Sequence, residues 1–259
     1  MKSARKCTLV FAAVLAFIAG ACAQPLAGVQ QLLLVVPSDW NQVSARMLCF
    51  ERTNIAAPWR KWGRTIPVVV GRNGLGWGRG LHPTNDLQGP IKREGDGKSP
   101  AGIFRLSGAF GYAEPESVKW IHMPYVQCTS VLECVDDTQS AHYNTVVEHP
   151  KVAKPDWQSF EHMLRNDDAY RFGLFVDHNA NPPVSGGGSC IFVHIWKDAT
   201  TGTSGCTAMA AERLEELLKW LEPSKNPVLV QLPKAEYFRE RVAWKLPEDF
   251  VENDILQAR

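Results

Sequence analysis

Cys206 and His194 are the two side chains in this sequence whose types and spacing best suit chemistry. A thiol served by an imidazole is the pairing of nucleophilic acyl transfer. The histidine takes the thiol proton, the thiolate attacks a carbonyl carbon, and the imidazolium returns the proton to the leaving amine. From Thr207 the sequence reads as a helix, with Leu214, Leu217, Leu218 and Leu221 on one face and Pro223 as its stop. Cys206 would then stand directly before a helix, whose unpaired N–H groups and positive dipole end favour a thiolate. The same N–H groups, with that of Cys206, could face an oxyanion. Gly205, without a side chain, would let a substrate come close. His194 falls in the apolar run 191–196, a strand on which Phe192, His194 and Trp196 share a face.

Plainer readings compete for each residue. A lone histidine among apolar neighbours is usually a satisfied core side chain, and a lone cysteine is usually a small buried residue. A metal site would need Cys190, His194 and Cys206 together. On one strand Cys190 and His194 would lie about 13 Å apart at about 3.3 Å per residue, too far for one zinc; no metal and no cofactor is expected. His82, His122, His142, His149 and His162 show no ligand spacing. Asp177-His178-Asn179 reads as a polar strand end, and Asp96 and Lys98 as part of a solvated turn.

The elements that must hold these groups are mostly short strands. Segments 31–36, 66–70, 102–106, 172–176 and 228–232 are apolar strand patterns, and 157–170 has helical character through Trp157, Phe160, Met163 and Leu164. The glycine-rich stretch 74–80 reads as a loop and lacks the sequence of a phosphate cradle. The fold class expected is mainly β, a sandwich or partial barrel with a helix following the nucleophile. Residues after Lys234 read as a tail packed on the outside. The domain division is thus a leader over 1–23, a catalytic domain over 30–233 and a C-terminal tail over 234–259.

Lys2, Arg5 and Lys6, an apolar run over 9–18, and Ala21-Cys22-Ala23 form an export signal with its cleavage site. The run is short of the roughly 20 residues of a spanning helix, so the mature chain is expected to carry no integral membrane span. Ala19 stands where a lipid-attachment signal at Cys22 would want a large aliphatic residue. The formal net charge of +1 and the absence of a basic run argue against nucleic acid. Export removes Cys7 and Cys22 and leaves Cys49, Cys128, Cys134, Cys190 and Cys206, an odd number for an oxidising compartment. Cys128 with Cys134 and Cys49 with Cys190 is the expected pairing, with Cys206 left free.

The order His194, glycine-containing loop, Thr203-Ser204-Gly205-Cys206 resembles the active-site signature of the L,D-transpeptidases of the YkuD family. Residues 95–104, Gly-Asp-Gly-Lys-Ser-Pro-Ala-Gly-Ile-Phe, resemble that family's upstream motif, and 188–194 resemble the approach to its histidine. The resemblance spans about residues 30–233. It implies that Cys206 attacks a peptidoglycan stem tetrapeptide, releases D-Ala and passes the acyl group to an amine in a 3→3 cross-link. His194 would be base and then acid, the backbone carbonyl of Ile195 would orient it, and Thr203, Ser204 and Trp196 would line the substrate groove. The partners implied are peptidoglycan stem peptides in the periplasm or cell envelope. The sequence departs from the pattern in a shorter His194–Cys206 spacer, in Ser204 where the family has histidine, and in Ala208 where it has arginine. An L,D-carboxypeptidase or amidase using water, and an inactive cell-wall binding module, are the alternatives. Papain-like and NlpC/P60 peptidases place cysteine before histidine, the reverse of the order here.

Overall fold

The computed structural model describes residues 24–85 and 87–248; the leader expected over 1–23 lies outside them. Among the described residues the strands are β1 (Gln31–Val36), β2 (Ser44–Glu51), β3 (Arg60–Val69), β4 (Leu75–Trp77), β5 (Ser99–Gly111), β6 (Tyr125–Gln127), β7 (Leu132–Val135), β8 (Val146–Glu148), β9 (Phe160–His162), β10 (Phe172–Val176), β11 (Phe192–Ile195), β12 (Thr207–Met209) and β13 (Val228–Gln231). The helices are α1 (Ala211–Trp220) and α2 (Lys234–Glu240).

The mainly β class holds, and the sheet closes. Its strands run in the order β10-β11-β12-β3-β2-β1-β13-β5, and β5 pairs back onto β10 through Gly173↔Phe110 and its neighbours. Closure satisfies the N–H and C=O rows that an open sheet would leave at its edges. β1 is buried at every position, and its unbroken apolar run suits a strand covered on both faces. It pairs parallel with β13 and antiparallel with β2. Leu214, Leu217 and Leu218 of α1 join the same core, with Leu221 just beyond the helix end. A second, three-stranded sheet, β8-β7-β9, stands beside the barrel. With strand β11 it encloses a smaller apolar cluster that includes Phe110, Cys134, Tyr170, Phe192 and Cys206.

Several sequence expectations give way to tertiary pairing. The helix begins at Ala211, four residues later than expected. Thr207–Met209 instead form β12, parallel to β11 and antiparallel to β3; two waiting ladder edges outweigh a local helical pattern. The helical reading of 157–170 fails for a different reason. Its apolar residues belong to separate elements: Trp157 packs against His142 and His149, Phe160 begins β9, Met163 is buried and Leu164 is exposed. The glycine-rich stretch 74–80 contains β4, which pairs parallel with the start of β5.

Residues 234–248 are anchored inward as well. Tyr237 is fully buried, and its hydroxyl donates to the Pro247 carbonyl. Trp244 packs against Trp77 and His82 with ring centroids 6.4 and 5.6 Å away. Removing the Tyr237 ring should therefore act like a core truncation. Tyr237→Ala is expected to lower stability by about 3–5 kcal/mol, read as a fall in the urea midpoint. A tail merely resting on the surface would show a change within about 0.5 kcal/mol.

Candidate active site

Strand β11 separates two environments. Val193 and Ile195 face the main barrel core, while Phe192 faces the smaller cluster. Alternation along the strand puts His194 on the Phe192 side, where its ring meets the edge of Tyr170 at 5.3 Å between centroids. The His194 Nδ1 donates to the carbonyl of Ile195 at 2.8 Å. A carbonyl only accepts, so the proton must sit on Nδ1, leaving the Nε2 lone pair free to receive one.

The β11–β12 register brings the thiol to this face. Val193 pairs with Thr207, so Phe192 and Cys206 are neighbours one step back along the two strands. The Phe192 N–H donates to Cys206 Sγ at 3.3 Å, and the thiol donates to the Cys190 carbonyl at 3.5 Å. His194 pairs with Ala208 on the same ladder, so the small alanine leaves room beside the imidazole. The thiol, the imidazole, Thr203, Ser204, Trp196 and Ala208 all line one cavity of about 510 Å³.

The backbone of Cys206 is clamped from the other side. Its carbonyl accepts from Ser99 Oγ at 2.8 Å and from Thr203 Oγ1 at 2.5 Å. Ser99 Oγ in turn accepts the Gly71 N–H at 2.8 Å. Ser99 belongs to the upstream glycine-rich motif, and this hydrogen bond ties that motif to the cysteine loop. Asp96 lies in a turn, but its carboxylate is only partly solvated. It accepts from the Lys98 and Arg93 N–H groups and forms an ion pair at 2.7 Å with Lys92, whose side chain is only 3 % exposed.

Gly205 has a structural reason different from the one its position suggests. It is buried and is not part of the cavity wall. A Cβ there would meet Ile191 and the Lys98 carbonyl at 3.2 Å, with Lys92 Nζ at 3.8 Å. The glycine allows close packing of the cysteine loop on the motif, not substrate approach. Its N–H is occupied by Thr203 Oγ1 at 3.1 Å. The helix-terminus account of the thiol also falls, because β12 intervenes before α1. Burial and the charge of Glu161 oppose a thiolate, while the Phe192 N–H and, through space, Lys92 and Arg165 favour one.

The disulfide joins Cys134 to Cys190, and Cys49, Cys128 and Cys206 are free. The expected pairings do not form: Cys134 is taken by Cys190, which leaves Cys128 free in the same small cluster. Cys49 lies inside the barrel on β2, whereas Cys190 belongs to the smaller cluster with Cys134. The bond fastens the three-stranded sheet to the residue just before Ile191 and β11. His178 and Asn179, read as a polar strand end, are fully enclosed. His178 Nε2 donates to the Gly187 carbonyl at 3.0 Å, and Asn179 Nδ2 donates to Gly188 at 3.0 Å, which fixes the loop entering β11.

Burial sets the resting charges. It pushes the Cys206 thiol well above its ordinary range and lowers His194 to about 4. At neutral pH the pair is a thiol and a neutral imidazole. The sequence pointed to neither Glu161 nor Tyr170, which also line the cavity. Both lay in the stretch misread as helix, so no signal was available for them. Ser99 and Lys92 were within reach, the first inside the glycine-rich motif and the second just ahead of it.

The site is thus a buried thiol and an oriented imidazole lining one cavity of a mainly β barrel. The model of the L,D-transpeptidase catalytic domain, YkuD, matches residues 42–230, and the chain belongs to that family. No curated protein and no solved structure matches the chain.

The enclosed histidines make a testable signature. Burial lowers His82 to about 4, His178 to about 3 and His194 to about 4, from an ordinary 6.5. The unfolded chain binds more protons than the fold between those values, so these groups add stability that is lost as pH falls from about 6.5 towards about 4. In an NMR titration the three imidazoles should keep their neutral shifts down to about pH 5. Titration of His194 near 6.5 would contradict the enclosed, neutral base.

Proposed function

We propose that this protein is an exported L,D-transpeptidase of the cell envelope that remodels peptidoglycan through a thioester on Cys206. The observation that carries the reading is the one cavity that both the Cys206 thiol and the Nδ1-fixed imidazole of His194 line, within a chain of this family. The family acts on peptidoglycan, and no helix among the described residues is long and apolar enough to cross a membrane.

In this mechanism the donor is a stem tetrapeptide. His194 Nε2 accepts the Cys206 proton as Sγ attacks the carbonyl preceding the terminal D-Ala. Because both groups rest neutral, proton transfer accompanies attack rather than preceding it. The Phe192 N–H and the nearby cations Lys92 and Arg165 favour the sulfur as it gains charge, against burial and the opposing charge of Glu161. The imidazolium then protonates the departing D-Ala amine, leaving the thioester. An amine from a second stem attacks the thioester and restores the thiol. The Ile195 carbonyl keeps the imidazole in the tautomer this requires. Thr203, Ser204 and Trp196 contribute walls for the peptide, and Ser204 and Ala208 give this pocket a shape and charge of its own.

Incubation of the mature protein with a carbapenem, followed by intact mass, tests the nucleophile. Wild type should gain one covalent adduct and Cys206→Ala none. His194→Gln should slow adduct formation by about 10²–10⁴-fold, as expected for loss of a general base. An unmodified wild type would end the enzymatic reading and leave a binding module. With disaccharide-tetrapeptide as substrate, cross-linked dimers are expected; tripeptide as the sole product would assign a carboxypeptidase instead.

A further inference from the structure

A second titratable pair, Glu161 and Tyr170, stands on the wall of the cavity that holds Cys206 and His194. Glu161 comes from β9 of the accessory sheet, where it pairs with Cys134 of β7. Directly opposed residues of an antiparallel ladder project to the same face. Cys134 is bonded to Cys190, and the Cys190 carbonyl accepts the Cys206 thiol. The disulfide therefore sets where the Glu161 carboxyl stands relative to the nucleophile. The Tyr170 hydroxyl donates to Glu161 Oε2 at 2.6 Å, while its ring meets the edge of His194. One carboxyl oxygen is thus engaged by tyrosine, which leaves Oε1 for a ligand.

Among the described wall residues, Glu161 is the acid that makes no ion pair, since Asp167 pairs with Arg165 and Asp168 with Arg171 at 3.3 Å. Glu161, Asp167 and Asp168 face the cavity against Arg165 and Lys197. Arg165 is already satisfied by a two-pronged pair with Asp167 at 2.9 and 2.8 Å, and its guanidinium lies over Tyr170 at 5.1 Å. Ala208, beside His194, adds no positive charge. Burial holds the Glu161 carboxyl above its ordinary range, with the Tyr170 hydrogen bond pulling the other way. A carboxylate of raised proton affinity in a cavity can accept a proton that an ordinary surface carboxylate would not.

We propose that Glu161, held in place by Tyr170, receives the ammonium group of the acyl acceptor and takes its first proton, so that the pocket selects an amine over water. This rests on Cys206 carrying the acyl group. The ammonium gives one proton to the Glu161 carboxylate. The freed nitrogen lone pair attacks the thioester carbonyl, the C–N bond forms, and the C–S bond breaks with its electron pair moving to Sγ. The second nitrogen proton passes through His194 Nε2 to the thiolate, which becomes the thiol. Glu161 releases its proton to solvent as the amide product leaves.

The test follows the two fates of one acyl-enzyme. The protein is given disaccharide-tetrapeptide alone, which serves as donor and acceptor, and the ratio of cross-linked dimer to tripeptide is read by liquid chromatography and mass spectrometry. Glu161→Gln keeps the size of the side chain and an oxygen for the Tyr170 hydroxyl. It should lower the ratio about tenfold, the scale of a lost charged hydrogen bond. A fall of less than about threefold, even if both products decline together, overturns the proposal, because a purely structural role would slow both fates alike. Tyr170→Phe, read in the same way, serves if Glu161→Gln does not fold. The ratio should then drop about threefold, and an unchanged ratio overturns the proposal. A wild type that consumes no donor overturns both readings, through Cys206 rather than through the ratio.

Discussion

The parallel ladder between β11 and β12 is the contact on which the site depends. It is three residue pairs long, from Val193↔Thr207 to Ile195↔Met209. Those pairs put Cys206 beside Phe192 and Ala208 beside His194, so thiol and imidazole reach the same face of one sheet. A shift of one residue would turn these two side chains towards the barrel core, because side chains alternate along a strand. The register is held on both sides. β3 pairs with the outer edge of β12, and β10 with the outer edge of β11. Closure of the barrel thus determines geometry at the cysteine as well as stability.

Around that ladder, several separate segments converge on the cysteine loop. Ser99 and Thr203 hold the Cys206 carbonyl, and the buried Lys92–Asp96 pair packs behind Gly205. A buried ion pair is costly unless its remaining hydrogen bonds are met. Here Asp96 accepts two backbone N–H groups, and Lys92 also donates to the Arg93 carbonyl at 2.6 Å. The glycine-rich motif is therefore a scaffold for the cysteine loop. On the other side, the Cys134–Cys190 bond and the small apolar cluster bring the accessory sheet against β11. The enclosure that results keeps the thiol and the imidazole neutral.

Much of this was legible in the residues. Continuous apolar runs identified β1, β10, β11 and β13 within about a residue, because strands buried on both faces need unbroken apolar sequence. Leu214, Leu217 and Leu218 marked the buried face of α1. Asp96 was read as a solvated turn because turn residues look alike whether or not a lysine is buried behind them. The cysteine pairing is not legible in the sequence, because closeness in the chain does not say which of the clustered thiols lies opposite which: Cys128 shares the small cluster with Cys134 and still stays free. Cys49 enters the barrel core, while Cys134 and Cys190 meet in the smaller one.

By itself, the sequence determined the mainly β class, the family resemblance and the pairing of Cys206 with His194 as candidates, since all of these rest on local patterns and chain order. Tertiary structure decided the rest. It made Thr207–Met209 a strand where helical spacing begins, since the open edges of β11 and β3 offered more hydrogen bonds than an early helical turn. It also brought Glu161 and Tyr170, from a segment with no recognisable motif, to the wall beside the thiol. No local pattern records that placement, because it depends on a disulfide and a cross-strand pair formed between segments distant in the chain.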